Sequence, residues 1–231
     1  MKNFDEVKKK FPKNRTELDS RYKSIYEEHY KNNREGKGFF NYLSQNMESW
    51  MHRQISKKSG AHILEVGAGN LNHLNYEKNF KTYDVVEPFK ILFHSSKNKK
   101  LVRNFFHSLS EINFKYDRII SIATLEHLLD LPEDIKLCSK LLNNNGILQV
   151  AIPCEGEAAF TIGWKLTTGI HFKIKYGLDY SKLMEHEHVN SLEEIMVILK
   201  NYFKITNFKR SFFILPLKNF SFYCYIECRP K

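Results

Sequence analysis

The stretch His62–Leu71 (HILEVGAGNL) constrains the fold of this 231-residue chain more than any other. A short apolar run, Ile63, Leu64 and Val66, meets an acidic residue, Glu65, and then two glycines one residue apart, Gly67 and Gly69. A buried parallel strand ends in this way when it turns tightly into the next segment, with glycine where a side chain would block a ligand. Open α/β sheets bind ligands beyond the carboxyl ends of their strands, where the strand order reverses. The sequence therefore predicts a doubly wound α/β domain with its site at this turn.

The same turn serves enzymes with nicotinamide, flavin or S-adenosylmethionine, so what it lacks is informative. A dinucleotide fingerprint runs G-x-G-x-x-G, whereas Gly69 is followed by Asn70, Leu71 and Asn72, with no third glycine. A carboxylate two residues before the first glycine suits a cationic cofactor that carries an ammonium group. This E-x-G-x-G resembles the first motif of class I S-adenosylmethionine-dependent methyltransferases. The resemblance implies that Glu65 helps to hold the methionine end, with Gly67, Gly69 and Asn70 around it. A second strand, Tyr83–Val86, ends in Glu87 and Pro88, and Glu87 follows Gly67 by 87 − 67 = 20 residues. A carboxylate there accepts hydrogen bonds from both ribose hydroxyls. NAD enzymes share that device, so Glu87 alone leaves both cofactors open. A nicotinamide oxidoreductase on the same fold is the alternative from another class, and a non-catalytic protein that keeps the fold is the bland one.

At this length the chain suits one sheet domain with additions. Residues 1–58 are expected to form an N-terminal helical lid and a first core helix, and residues 59–231 the cofactor-binding core. The N-terminus has no signal-peptide core and no stretch approaches a membrane span, so a cytoplasmic location is expected. Cys138, Cys154, Cys224 and Cys228 form no C-x-x-C pair and no zinc spacing, so buried thiols are the default. The formal charge of +10 favours anionic partners. The basic residues are spread along the chain, however, and a lysine- and asparagine-rich genome accounts equally for the number.

In the N-terminal segment, Asn14 and Thr16 are candidate caps for a helix carrying Leu18, Tyr22, Tyr26 and Tyr30 on one face, with Tyr26 or Tyr30 placed to touch the methionine carboxylate. Gly36 and Gly38 mark a break, and residues 39–58 read as an amphipathic helix. Leu71–Asn79 and Phe89–Ser96 are expected as crossover helices, Lys97–Lys100 as a loop and Leu101–Phe106 as the third strand. In the family, adenine is met where Ser108 and Leu109 stand, although many relatives have aspartate at that place.

The fourth strand, Tyr116–Ala123, runs into Thr124, Leu125, Glu126 and His127. A hydrophobic strand ending in L-E-H is similar to the fourth motif of small-molecule methyltransferases, including quinone O-methyltransferases, and the likeness sets Ile122 and Ala123 against the cofactor. Methyl transfer from a sulfonium is an in-line displacement, so the protein aligns the acceptor and, for a hydroxyl acceptor, removes a proton. An imidazole titrating near neutrality suits that step. His127 is thus either the base or a brace of its turn, with Glu126 and His188 as the other catalytic candidates. Some quinone methyltransferases add a metal through a glutamate ahead of L-E-H; Ala123 and Thr124 stand there, and no metal is expected.

Pro132–Asn143 reads as a helix stopped by Asn143–Gly146, and Ile147–Ile152 as the fifth strand. The loop beyond it carries Glu155, which either binds substrate or shares the work of the base. No Pro-Pro-aromatic motif follows the fourth strand, which argues against nucleic acid as acceptor. An insertion at 157–189 is rich in aromatic and basic residues, and loops on the ligand edge set substrate choice. His171 and Tyr180 there, and Asn190 after the His186-Glu187-His188 run, are the acceptor-side candidates. Ser191 and Glu194 form a capping box for the last helix, and Phe203–Phe213 with Phe220–Cys228 form two strands. The family resemblance makes these an antiparallel pair that completes a seven-stranded, mostly parallel sheet flanked by helices.

The whole pattern looks like bacterial small-molecule methyltransferases of capsule and lipopolysaccharide sugar pathways. That likeness implies O-methylation of a small anionic acceptor: a sugar nucleotide, a glycan sugar or a phosphorylated capsule precursor. The alternative within the family is a phenolic or quinone-like ring.

Overall fold

The computed structural model describes residues 2–32, 49–212 and 221–231, with the side chains of 27–32, 158–159 and 212 left aside. The expectations for the side chain of Tyr30, for Gly36 and Gly38, for the first half of the helix at 39–58 and for the loop at 214–219 lie outside what is described.

Seven strands form one sheet in the order β3-β2-β1-β4-β5-β7-β6. They are β1 (His62–Val66), β2 (Thr82–Val86), β3 (Asn104–Phe106), β4 (Tyr116–Ile122), β5 (Leu142–Pro153), β6 (Phe203–Phe212) and β7 (Ser221–Pro230). Strands β1 to β5 pair in parallel, and β7 is antiparallel to both β5 and β6. The order reverses beside β1, so the glycine turn stands at the switch point.

Alternation along the strands divides the core. Leu64, Val66, Ile119, Leu148 and Val150 point to one face, with the helices α1 (Phe4–Lys8), α4 (Leu131–Leu141) and α8 (Leu192–Tyr202) over it. Ile63, Tyr83, Val85 and Ile120 point to the other, packed under Met51 and Ile55 of the helical residues 49–55 (α3) and under Leu71, Leu74 and Phe93. The capping box of α8 forms as expected, Ser191 accepting from the Glu194 amide. A second box, Asn3 with Glu6, starts α1, a helix absent from the sequence reading.

The two crossover helices expected on the second face do not form. Leu71–Asn79 contains only a 3₁₀ turn, Asn72–Asn75, and Leu71 and Asn79 both take left-handed φ values, 65° and 60°. Asn70, Asn72, Asn75 and Asn79 supply the reason, since asparagine competes for backbone hydrogen bonds outside the helix. Phe89–Ser96 gives the 3₁₀ turn Lys90–Leu92, and the expected loop after it is a further turn, Lys97–Leu101, capped by Ser96. The long N-terminal helix α2 (Ser20–Asn32) starts at neither Asn14 nor Thr16. The Asp19 carboxylate accepts from the amides of Arg21 and Tyr22 and starts it instead.

At the end of the sheet away from the ligand edge, the guanidinium of Arg118 is fully buried. It grips the Glu77 carboxylate with two bonds of 2.7 Å, donates to the Ile55 carbonyl at 2.8 Å and also bonds Gln149. Gln149 in turn meets the Tyr225 hydroxyl, which donates to Glu227 at 3.1 Å. Both fork oxygens and the carbonyl are occupied, so the buried charge is paired on every side.

Candidate active site

The turn after β1 is built by backbone geometry. Gly67 (φ +74°) donates to the Val86 carbonyl at 2.9 Å, and a Cβ on it would lie 2.2 Å from Thr124 Oγ1. The missing side chain lets the end of β4 close over β1, where the Thr124 hydroxyl donates to the Gly67 carbonyl at 3.3 Å. Gly69 (φ +50°) faces open space, with nothing within 4 Å of a Cβ built there. Glu87, almost buried, accepts from the amides of Gly69 at 2.9 Å and Phe89 at 3.0 Å, so the carboxylate is aimed before any ligand arrives. Ala123 closes the other side with φ +48°, a left-handed conformation unusual for alanine.

A cleft of about 830 Å³ opens over these residues, within the range of small-molecule sites. Of the residues predicted for the cofactor, Gly67, Gly69, Glu87, Pro88, Ser108, Leu109 and Ala123 line it. Asn70 is exposed beside the turn, and Ile122, partly buried at the end of β4, is not among the lining residues. Glu65 stays inside the sheet's second face, where it accepts the Tyr83 hydroxyl at 2.6 Å and does not reach the cleft. Burial pushes its carboxyl up to about 8, against the pull of that hydrogen bond, so it is largely neutral at pH 7.

The acceptor side assembles from distant segments. His127 sits on the 3₁₀ turn Leu125–His127 and lines the cleft. Its Nδ1 is 2.8 Å from the Glu187 carbonyl, and because a carbonyl only accepts, Nδ1 carries the proton and Nε2 keeps the lone pair. The His188 ring meets His127 edge-on at 4.8 Å, and its Nδ1 is held by the Glu155 carboxylate. Glu126 is buried beneath, with one oxygen lacking a protein partner. Desolvation pushes its carboxyl up to about 7, while the charge of His127 pulls down. Asn190 is a splint: its amide donates to the carbonyls of Leu125 at 2.8 Å and Leu128 at 2.7 Å and so holds the L-E-H turn. His171 is exposed on the insertion, and Tyr180 packs between Trp164 and Phe172; neither lines the cleft.

Sequence reasoning missed Arg15, the side chain of Glu187, and Asp134. Arg15 lines the cleft, donates to the His186 carbonyl at 2.9 Å and lies 3.5 Å from the Glu187 carboxylate, which also accepts from Tyr26. It is positioned by the N-terminal strap, where Lys13 bonds both the Val189 carbonyl (2.6 Å) and Glu194 (2.7 Å). Asp134 enters from the first turn of α4, its carboxyl pushed up to about 6 by burial and by Asp130 and Glu133. No local pattern marks Arg15, because its partners are some 170 residues away. The H-E-H run did carry Glu187. Among the described residues no group of three or more His, Cys, Asp or Glu could hold a metal ion.

A family model described as a methyltransferase domain matches residues 39–202, and the chain belongs to that family. Solved structures share its fold. An S-adenosylmethionine-dependent methyltransferase from Clostridium acetobutylicum superposes with TM-score 0.56 at 14% identity, over 90% of this chain and 98% of that one. The N-methyltransferase NodS from Bradyrhizobium japonicum, in complex with S-adenosyl-L-homocysteine, gives 0.57 at 14%, over 92% and 99%. Magnesium protoporphyrin IX methyltransferase from Synechocystis, with the same product bound, gives 0.56 at 14%, over 91% and 93%. Among curated protein sequences none matches.

Proposed function

We propose that the protein transfers a methyl group from S-adenosylmethionine to a hydroxyl of a small anionic acceptor, such as a sugar nucleotide, a glycan sugar or a phosphorylated capsule precursor. The residues present fit the cofactor: Gly69 leaves open the space that a side chain would fill, and Glu87 is pre-aimed by two backbone amides. Glu87 would take the ribose hydroxyls, Ser108 and Leu109 the adenine, and the Gly67–Gly69 turn and Ala123 the rest. Glu65 joins only if the cationic ligand draws it into ionisation. When bound, S-adenosylmethionine supplies an electrophilic methyl on a sulfonium.

The observation that carries the hydroxyl acceptor is the 2.8 Å contact between His127 Nδ1 and the Glu187 carbonyl. The Glu187 carbonyl holds the proton of the neutral ring on Nδ1, which leaves Nε2 to take a proton from the acceptor. Glu126 beneath and Glu187 beside it stabilise the imidazolium that results, at 3.9 Å from Nε2 and 3.4 Å from Nδ1. Arg15, together with the formal charge of +10, favours a phosphate on the acceptor. Incubating the protein with labelled S-adenosylmethionine and a panel of nucleotide-linked sugars, sugar phosphates, catechols and quinols tests the reading. Label moving to the phosphorylated sugars and falling with added salt is expected; label moving only to the neutral rings would overturn the anionic acceptor.

A further inference from the structure

Between β5 and the last helix, three segments join end to end: α5 (Ala158–Trp164), a π turn (Lys165–Gly169) and α6 (Ile170–Tyr176). Helical backbone angles continue through both junctions, at Trp164, Lys165, Gly169 and Ile170, so the three form one rod. One side of it is anchored, since Phe172 is buried against Leu18, Tyr22 and Leu183. The outer side carries Ile162, Leu166, Ile170 and Ile174, which are 55%, 64%, 48% and 81% exposed.

These four residues recur every fourth position. In an α-helix that interval drifts by about 40° a step, so the last would stand about 120° from the first. The π turn takes one extra residue, worth about 100° of α-helix, and draws Ile170 and Ile174 back under Ile162 and Leu166. The result is a straight apolar ridge rather than scattered exposed residues. The rod itself carries charge of one sign, since residues 158–176 contain Lys165, Lys173 and Lys175 and no aspartate or glutamate; the carboxylate of Asp179, just past it, feels Lys165 and Lys173. A half-anchored helix with an apolar ridge and lysine flanks matches an element that lies in a bilayer interface. A soluble partner groove would satisfy the ridge but gives no reason for the excess of lysine.

We infer that this ridge docks the protein onto an anionic membrane surface, with the four aliphatic side chains entering the headgroup boundary and the lysines meeting acidic lipids. The rod leads through α7 (Ser181–Glu187) to Glu187, which lines the cleft. The inference stands on the ridge and does not depend on the identity of the acceptor.

Flotation of the full chain with vesicles of phosphatidylcholine alone, and of phosphatidylcholine with 30% phosphatidylglycerol, tests it. Binding to the anionic vesicles, lost in 1 M salt and weak on the neutral ones, is expected. Ile174→Asp is well exposed and should abolish flotation while methyl transfer to a soluble acceptor stays unchanged. Lys173→Glu should weaken partitioning by at least about 5-fold, the factor for roughly 1 kcal/mol per basic residue near such a surface. No flotation with anionic lipid, or flotation of Ile174→Asp equal to that of the parent, would overturn the docking. So would a dimer that dissociates on Ile174→Asp and does not float, which assigns the ridge to a second copy of the chain.

Discussion

The two halves of the cleft are made by different means. On the cofactor side the work is done by backbone: positive φ at Gly67, Gly69 and Ala123, and amides that hold Glu87, all within a few residues of a strand end. The other side is made of side chains held across the chain, Arg15 by the His186 carbonyl and the Glu187 carboxylate and His127 by the Glu187 carbonyl, with the Glu155–His188 pair packed against His127 outside the cleft lining. Local backbone shapes one half of the cleft, and long-range pairing shapes the other.

That contrast breaks most visibly at His127. His127→Ala is expected to lower turnover by about 100-fold or more with little change in affinity for S-adenosylmethionine, measured by single-turnover kinetics and calorimetry. Turnover near the parent value would reassign His127 to bracing its turn. The next largest effect separates the two glycines. Gly67→Ala meets both a left-handed φ and Thr124, and should lose about 2–3 kcal/mol of stability in urea titration. Gly69→Ala meets only the φ, and should lose about 1 kcal/mol. Equal losses would mean that the close approach of β4 to β1 is not a constraint.

Glu87→Gln should weaken S-adenosylmethionine by about 10-fold through the loss of a charged acceptor, leaving the acceptor KM as it was. A change in acceptor KM would show that the halves are not separable. The smallest effect concerns Glu65. Its folded value of about 8 lies above the ordinary 4.5, so its share of stability is full below pH 4.5 and lost as pH rises through 8. Glu65→Gln should flatten that decline in urea titrations across the window. If cofactor binding releases a proton near pH 7 in the parent and not in Glu65→Gln, as buffer-dependent calorimetry reads, Glu65 belongs to the cofactor half after all.

How much of this was legible in the sequence follows the same division. The strands were legible from their apolar runs, β4 to within one residue and the L-E-H turn to the residue, and the cap of α8 from Ser191 and Glu194; β3 however starts at Asn104 rather than Leu101, and β5 at Leu142, where the helix was expected to run on to Asn143. Periodicity overstated the crossover helices because Leu71, Leu74 and Phe93 are buried at helix-like spacing without a helix, each on a short turn. Asp19 caps α2 where Asn14 and Thr16 are the expected candidates, and the Asn3/Glu6 box that starts α1 is readable in the same way as that of α8. On the acceptor side only residue types were visible. Asn190 looks like a substrate ligand in sequence and in space commits its amide nitrogen to two carbonyls; Arg15 looks like one charge among many and faces the cleft.

The buried guanidinium at the foot of β4 carries a consequence for protein engineering. Arg118 ties the turn after β1, through Glu77, to α3 and β5, and Gln149 passes that tie to Tyr225 near the C-terminus. A fragment cut after α8 would keep every cofactor-lining residue yet strand Gln149 without its hydroxyl partner and bare the whole edge of β5. No minimal nucleoside-binding module can be excised from this chain, and a split reporter would reassemble better when divided in an exposed loop than at the C-terminal hairpin.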